Sequence, residues 1–440
     1  MRHANAEPTT SSARPEKAIF YGWWMVALGC ALRCLGGGLH HYGFTIFFLP
    51  LSQDLGLSRA ATSLAFSLAR AEGALEGPLA GYCIDRFGPR PVMLAAVTLT
   101  GLGYILLATV DDYLEFLLVY LGVICLAYGA GFMHSPMVLA NTWFIRRRAM
   151  AMTLISASIG IGGAVLSPLL AFAVQAWGWR SAAVLAGLSL LLVGFPLAAP
   201  VRRSPETMGL LPDGDLAQKA PPINSSRAGG DPRSAHAADD FGPLQAMRTA
   251  SFWMLIVATS FRVAGLGTVM VHFIPLMVWK GLTEGRAALL LSTFAFLALP
   301  SHLLLGWMAD RMSKPRLMAC SMLLSGAALV LLVQASEEWP LWAFTVLFTL
   351  AESIFPVSWA TVGDLFGRKF FATIRGTMGL FYMWGTVAAP VVAGFIYDRY
   401  QSYAPMLWAL AGLFFLAAAV YALLHRPWAM AQRARLAENR

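Results

Sequence analysis

Two arginines stand where a charged side chain is costly. Arg33 and Arg262 each lie inside a long apolar run, about 13 and about 11 residues from its start, which is roughly 20 and roughly 16 Å of helix at 1.5 Å per residue. A guanidinium stays charged at physiological pH and can grip a carboxylate through two parallel N–H bonds. Two of them near one axis suit a dianion, or a monoanion together with an internal carboxylate. The plainer reading is that each pairs with an intramembrane Glu and only ties helices together. Glu72 and Glu76 are one helical turn apart on one face. Carboxylates so placed in a low dielectric raise each other's proton affinity, which makes the pair a candidate proton carrier. The alternative is a structural Glu neutralised by Arg70 or Arg33. Glu352, in a later apolar run, is a third acid of the same kind. Ionisable groups at such depth mark functional sites by default.

Histidines add candidates. His40 follows Arg33 by two helical turns, and His134, His272 and His302 also lie in apolar runs. Buried His is commonly a hydrogen-bonded packing group, but its charge can also switch near neutral pH. Tyr42, Phe44, Tyr128, Phe381, Tyr382 and Trp384 can wall a pocket or simply pack. Cys30, Cys34, Cys83, Cys125 and Cys320 sit in or beside apolar runs and read as packing thiols.

The elements that must position these groups follow from composition. Of 440 residues, 58% are hydrophobic and 12% charged, against about 25% charged in a soluble domain. That excludes a water-soluble enzyme. Apolar stretches at 20–49, 60–83, 91–109, 113–140, 149–175 and 180–199 precede a polar, Pro-rich segment. Six more follow, at 251–279, 287–309, 316–334, 340–363, 371–397 and 403–424. Each can span a bilayer, which takes roughly 20 residues. The expected architecture is all-α and polytopic, with twelve transmembrane helices as two six-helix bundles. Its segments are a polar tail (1–18), a first bundle (19–199), a linker (200–250), a second bundle (251–424) and a basic tail (425–440). With both termini and the linker in the cytoplasm, 24 of the 32 Lys and Arg fall inside. These include Arg86, Arg90, Arg148, Arg311, Arg368 and Arg375. Five fall outside, and Arg33, Arg70 and Arg262 lie within spans. This asymmetry gives orientation, so the net charge of +9 needs no nucleic-acid partner.

The halves repeat. Pro50-Leu51, Gly56, Gly81 and Asp85-Arg86 reappear 225 residues later as Pro275-Leu276, Gly281, Gly306 and Asp310-Arg311. Two parallel repeats of this kind build a rocking transporter with its site between them. At the second-span turn, Gly81, Asp85, Arg86 and Arg90, with their copy Asp310 and Arg311, can pair with a neighbouring helix in one conformation and release it in another.

The run Gly81-Tyr82-Cys83-Ile84-Asp85-Arg86-Phe87-Gly88-Pro89-Arg90 resembles the signature of the major facilitator superfamily. Tyr21-Gly22-Trp23, Trp143 to Ala151, Pro205 to Leu210 and Tyr397-Asp398-Arg399 resemble its monocarboxylate transporter group, which includes oxalate/formate exchangers. The resemblance implies transport of a small organic anion, a mono- or dicarboxylate, with a proton or against a counter-anion. In the animal relatives span 8 carries an Asp and, four residues on, a carboxylate-binding Arg; those positions fall here on Ala298 and His302. The relatives' span-1 Lys falls at His41 or Tyr42. The expected substrate set is therefore Arg33, Arg262, His302, His41, Tyr42 and Tyr382. The expected proton-coupling set is Glu72, Glu76, Glu352 and His302.

A competing reading is a proton-driven exporter of hydrophobic or cationic compounds on the same scaffold, which the three acids would serve. An intramembrane enzyme is disfavoured, since no H-E-x-x-H, G-x-S-x-G or P-loop string occurs. A receptor on a transporter scaffold would want a signalling domain, for which the linker is too short and polar. No cofactor or metal is expected. The chain is expected to lie in the plasma membrane and to act as a monomer.

Overall fold

The computed structural model describes residues 20–56, 59–214 and 240–424. The expected tails and the middle of the linker lie outside the described residues. Within a bilayer each backbone polar group must be satisfied inside its own segment, so apolar runs of this length fold as helices.

Helix α1 runs from Tyr21 through a π-helical turn at Gly37–Tyr42 to Asp54. Then come α2 (Arg59–Phe87), α3 (Pro89–Leu107) and α4 (Tyr113–Trp143). The expected fifth and sixth spans form one helical run, Arg148–Ala198, turned back at Gly178 (φ 80°, ψ 163°); its arms are α5 (148–177) and α6 (179–198). The second half holds α7 (Ala250–Val271, continued by Phe273–Trp279), α8 (Glu284–Ala309), α9 (Lys314–Gln334), α10 (Trp339–Phe366), α11 (Phe371–Tyr400) and α12 (Ala404–Ala422). Starts follow local chemistry. Asp112, Thr249 and Thr283 cap α4, α7 and α8 through side-chain oxygens, and prolines open α3, α9, α10 and α12.

Two equivalent helices depart from regular α geometry at mid-length. Helix α4 carries a π-helical turn at Gly129–His134. Helix α10 is interrupted at Ser353 and Ile354, between Trp339–Glu352 and Phe355–Phe366. Irregular backbone at membrane depth is tolerated where protein or a cavity covers it, and π turns gather at functional positions.

The expected linker is ordered at both ends. Short 3-10 turns occupy Pro205–Met208 and Pro212–Gly214, and a helix occupies Pro243–Met247. Asp213 accepts bonds from the Ile145 and Arg146 amides (3.0 and 2.9 Å). Asp240 accepts one from Arg368 N (2.7 Å). Each linker end thus fastens the corresponding loop of one half.

The halves meet closely along α2 and α11. A Cβ at Gly81 would overlap the Ala372 carbonyl, and one at Gly376 would overlap the Gly77 carbonyl. Gly81→Leu is therefore expected to pry the helices apart. Labelling of a cysteine at Thr373 by a membrane-impermeant maleimide added to the basic face should rise above the parent level; unchanged labelling would show that the interface yields without opening.

Candidate functional site

The polar contacts joining the halves sit at the Lys/Arg-rich end and obey the internal repeat. Asp85 on α2 accepts the first amides of α11, Ala372 N (3.2 Å) and Thr373 N (2.8 Å), and the Thr373 hydroxyl (2.6 Å). Its copy Asp310 accepts the first amides of α5, Ala149 N (2.9 Å) and Met150 N (3.1 Å). In both cases a carboxylate of one half satisfies the orphan donors and positive dipole end of a helix in the other. Burial pushes the Asp310 carboxyl above the usual aspartate range, against those amide bonds and Lys314. Arg148, itself buried, adds a bridge to the partly exposed Asp364 (2.6 Å), whose other oxygen holds Lys314 (2.7 Å).

The remaining motif arginines do not bridge. Arg86 donates to the Tyr82 hydroxyl (2.6 Å), Arg311 lies over the Trp307 ring (4.0 Å), and Arg90 is exposed. Arg368 reaches Glu206 (3.0 Å). Burial raises the Glu206 carboxyl, but Arg368 and local hydrogen bonds outweigh it and leave it below the ordinary range. That tie is complete at neutral pH and is lost only as pH falls through the depressed value.

Four arginines are buried among the described residues: Arg33, Arg148, Arg262 and Arg375. Two are neutralised within the protein. Arg148 has Asp364, and Arg262 on α7 has Glu352 on α10 (3.1 Å), whose second oxygen accepts from Ser325 Oγ (2.9 Å). Arg262 also lies over Phe355 (5.4 Å). Arg262 and Glu352, expected to serve substrate and proton, are thus partners of each other. Arg33 is held differently: its Nη1 donates to a backbone carbonyl, that of Met133 on α4 (2.9 Å), while its Nε, like that of Arg262, has no partner. No carboxylate of the described residues lies within ion-pair distance of Arg33, so the alternative of an Arg33–Glu pair is not what the fold shows.

Arg375 corrects the sequence reading, which counted it with the basic loop. It lies 4% exposed inside α11, over the faces of Trp359 (3.9 Å) and Tyr382 (4.8 Å). No carboxylate of the described residues pairs with it. The only sequence signal was its place in the apolar run that opens at Phe371.

The acids on α2 face α4. A Cβ at Gly129 would overlap the Glu76 carboxylate, and a Glu76 oxygen accepts the Ala130 amide. Both oxygens of Glu72 and one of Glu76 are buried without a hydrogen-bond partner. Glu76 also floors an apolar groove of about 420 Å³ between α2, α3 and α4, walled by Leu79, Ala95, Leu99 and Leu126. The side chain of Arg70 lies outside the described residues.

His302 is half-buried, and its Nδ1–H donates to Ala298 O (2.6 Å), one turn back on α8. His41 and Tyr42 are exposed at the π turn of α1, with Tyr42 lying over Gly163 of α5. His40 bonds the Tyr104 hydroxyl (3.0 Å), and His272 lies between Pro390 O (3.0 Å) and Tyr403 (3.3 Å), both as packing groups. Tyr128 is buried, whereas Phe381 and Trp384 are exposed. The side chain of Phe44 lies outside the described residues.

The family model described as the Major Facilitator Superfamily matches residues 26–283 and 274–438. Human "Monocarboxylate transporter 11" is 28% identical over 391 residues, 86% of this chain and 78% of the relative. The "Oxalate:formate antiporter" of Oxalobacter formigenes is 26% identical over 199 residues, 44% and 47% of the two chains. Among solved structures, the FucP transporter in its outward conformation superposes with a TM-score of 0.68 at 16% identity, covering 91% of this chain and 98% of that one. The proton:xylose symporter XylE bound to 6-bromo-6-deoxy-D-glucose gives 0.65 at 17%, covering 92% and 96%.

Removing one member of a buried ion pair costs about 3–5 kcal/mol, because the partner's charge is stranded. Arg262→Gln alone should therefore lower the thermal midpoint in detergent, and Arg262→Gln with Glu352→Gln should recover most of it. A double variant no more stable than the single would mean that the two side chains do not act as a pair.

Proposed function

The chain belongs to the major facilitator superfamily, and from that premise we propose that it moves a small organic anion, a mono- or dicarboxylate, across the membrane by alternating access. Arg33 is the observation that carries this reading. It is buried within α1, anchored by one carbonyl bond, and left without an acid partner among the described residues. An uncompensated guanidinium in a low dielectric is costly, and an anionic cargo removes the cost each time it binds. The matched relatives act on anions by their names, "Monocarboxylate transporter 11" and "Oxalate:formate antiporter". The basic end faces the cytoplasm by the positive-inside rule. With the Asp85 and Asp310 contacts made there, the conformation is closed inward, and transport requires both to break.

Coupling is to a proton or to a counter-anion. For the proton, Glu72 and Glu76 are the favoured carriers. Both oxygens of Glu72 and one of Glu76 lack partners, whereas Glu352 is committed to Arg262. Helix α4 lies between the two tasks: Glu76 meets it at Gly129 and Ala130, and Arg33 meets it one turn on, at Met133. The π turn at Gly129–His134 spans both contacts. A change at Glu76 thus reaches the carbonyl that holds Arg33 through a few residues of irregular backbone. The same reading puts the protein in the plasma membrane with both termini inside, and has it work as a monomer.

The second reading, export of hydrophobic or cationic compounds, has one observation in its favour: the apolar groove floored by Glu76. The readings part on Arg33. In proteoliposomes, carboxylate uptake should rise with an inward proton gradient, and Arg33→Gln should lower it at least about tenfold, the loss of about 1.4 kcal/mol of anion binding. Full activity in Arg33→Gln, with efflux of a lipophilic cation blocked in Glu76→Gln, would establish the exporter instead. Glu76→Gln is expected to flatten the pH dependence of uptake while leaving anion exchange running. Uptake indifferent to pH, potential and internal anion alike would remove symport and exchange together.

A further inference from the structure

Beside Arg33 stands a second buried guanidinium, that of Arg375, with no carboxylate partner among the described residues. Arg375 lies one turn past the amides that Asp85 caps, so its place is immediately behind the closed latch. Trp359 and Tyr382 lie against its faces at 3.9 and 4.8 Å. Stacking of this sort supports the cation and fixes the plane, but it uses none of the five N–H donors, which point outward along the edges. An ordinary buried structural arginine spends those donors on a carboxylate, as Arg262 and Arg148 do here.

A second donor stands unspent beside it. The Trp359 indole N–H is buried and has no acceptor among the described residues, a state that is costly unless something supplies one. His134, from α4 of the other half, lies against the Trp359 ring (5.9 Å) and within electrostatic reach of both Arg375 and Arg33. One turn back on α10, Phe355 carries Arg262, already neutralised by Glu352. Helix α10 therefore presents two ring-supported guanidiniums, one satisfied by the protein and one left for something else.

We propose that Arg375, with the Trp359 N–H, is a second anion-binding position at the inner floor of the transport path, and that Arg33 and Arg375 from opposite halves together receive a molecule carrying two carboxylates. This rests on the anion reading and sharpens it. A monocarboxylate satisfies Arg33 alone and leaves Arg375 unpaired. A dicarboxylate satisfies both and thereby bridges the halves, so its binding favours the state in which they are close.

The test uses the full chain in detergent and pairs of acids matched in carbon number: acetate and oxalate, propionate and malonate, butyrate and succinate. Affinities are read from ligand-dependent thermal stabilisation. At least one dicarboxylate should bind about tenfold or more tightly than its monocarboxylate. Arg375→Gln should abolish that preference while leaving monocarboxylate affinity within about threefold, and Arg375→Lys should retain part of it. Trp359→Phe keeps the ring and deletes only the N–H, so it should weaken dicarboxylates selectively even if Arg375→Gln fails to fold. A wild type that binds both members of every pair alike, or an Arg375→Gln that weakens both classes equally or neither, overturns the proposal while leaving the anion reading intact. Failure of every carboxylate to bind wild type removes the anion reading itself and this proposal with it.

Discussion

Everything in this protein turns on the cost of keeping charge out of water. A bilayer interior offers no solvent to a guanidinium, so each buried arginine must be answered by a carboxylate, by a carbonyl or ring, or by something that arrives from outside. Arg148 and Arg262 are answered by Asp364 and Glu352. Arg33 leans on a backbone carbonyl and Arg375 on two aromatic faces. The first pair belongs to the scaffold. The second pair has spare hydrogen-bonding capacity at the boundary between two bundles that must move against each other.

The same economy governs the latches. Backbone amides at a helix start are unsatisfied by geometry, and the protein answers those of α11 and α5 with aspartates from the opposite half. A contact of this kind is strong enough to hold a conformation and small enough to be exchanged for water. It is also duplicated by the internal repeat, so the two sides of the seam release by the same chemistry. The repeat does not extend to the buried charges. Equivalent helices carry Arg33 and Arg262, yet one finds a carbonyl and the other a carboxylate. The halves are alike in how they close and unlike in what they hold.

Much of this was legible in the sequence. Uninterrupted apolar runs announced the spans, and a constant offset between Asp85 and Asp310 announced the repeat. Arg33 and Arg262 were visible because they interrupt apolar surroundings. What each of them touches was not visible, since Met133 and Glu352 are about a hundred residues away. Arg375 reads as a loop residue for a related reason. It follows Arg368 and Lys369 so closely that charge counting assigned it to their loop, and only the start of α11 at Phe371 turns its side chain inward. The targets of Asp85 and Asp310 were hidden too, because a helix start becomes a partner only once two bundles are docked. Gly178 was an ordinary residue in the sequence, and its role depends on a backbone angle.

That glycine constrains how the protein is made. The α5 and α6 arms share one continuous run with a single residue at the bend, φ 80° and ψ 163°, a conformation open to little besides glycine. No outer loop exists to be threaded across after α5 is seated. The two arms are therefore held to one another by a single backbone angle, and α5, which contacts both α8 and α10 of the later half, gains its full set of neighbours only when that half has docked.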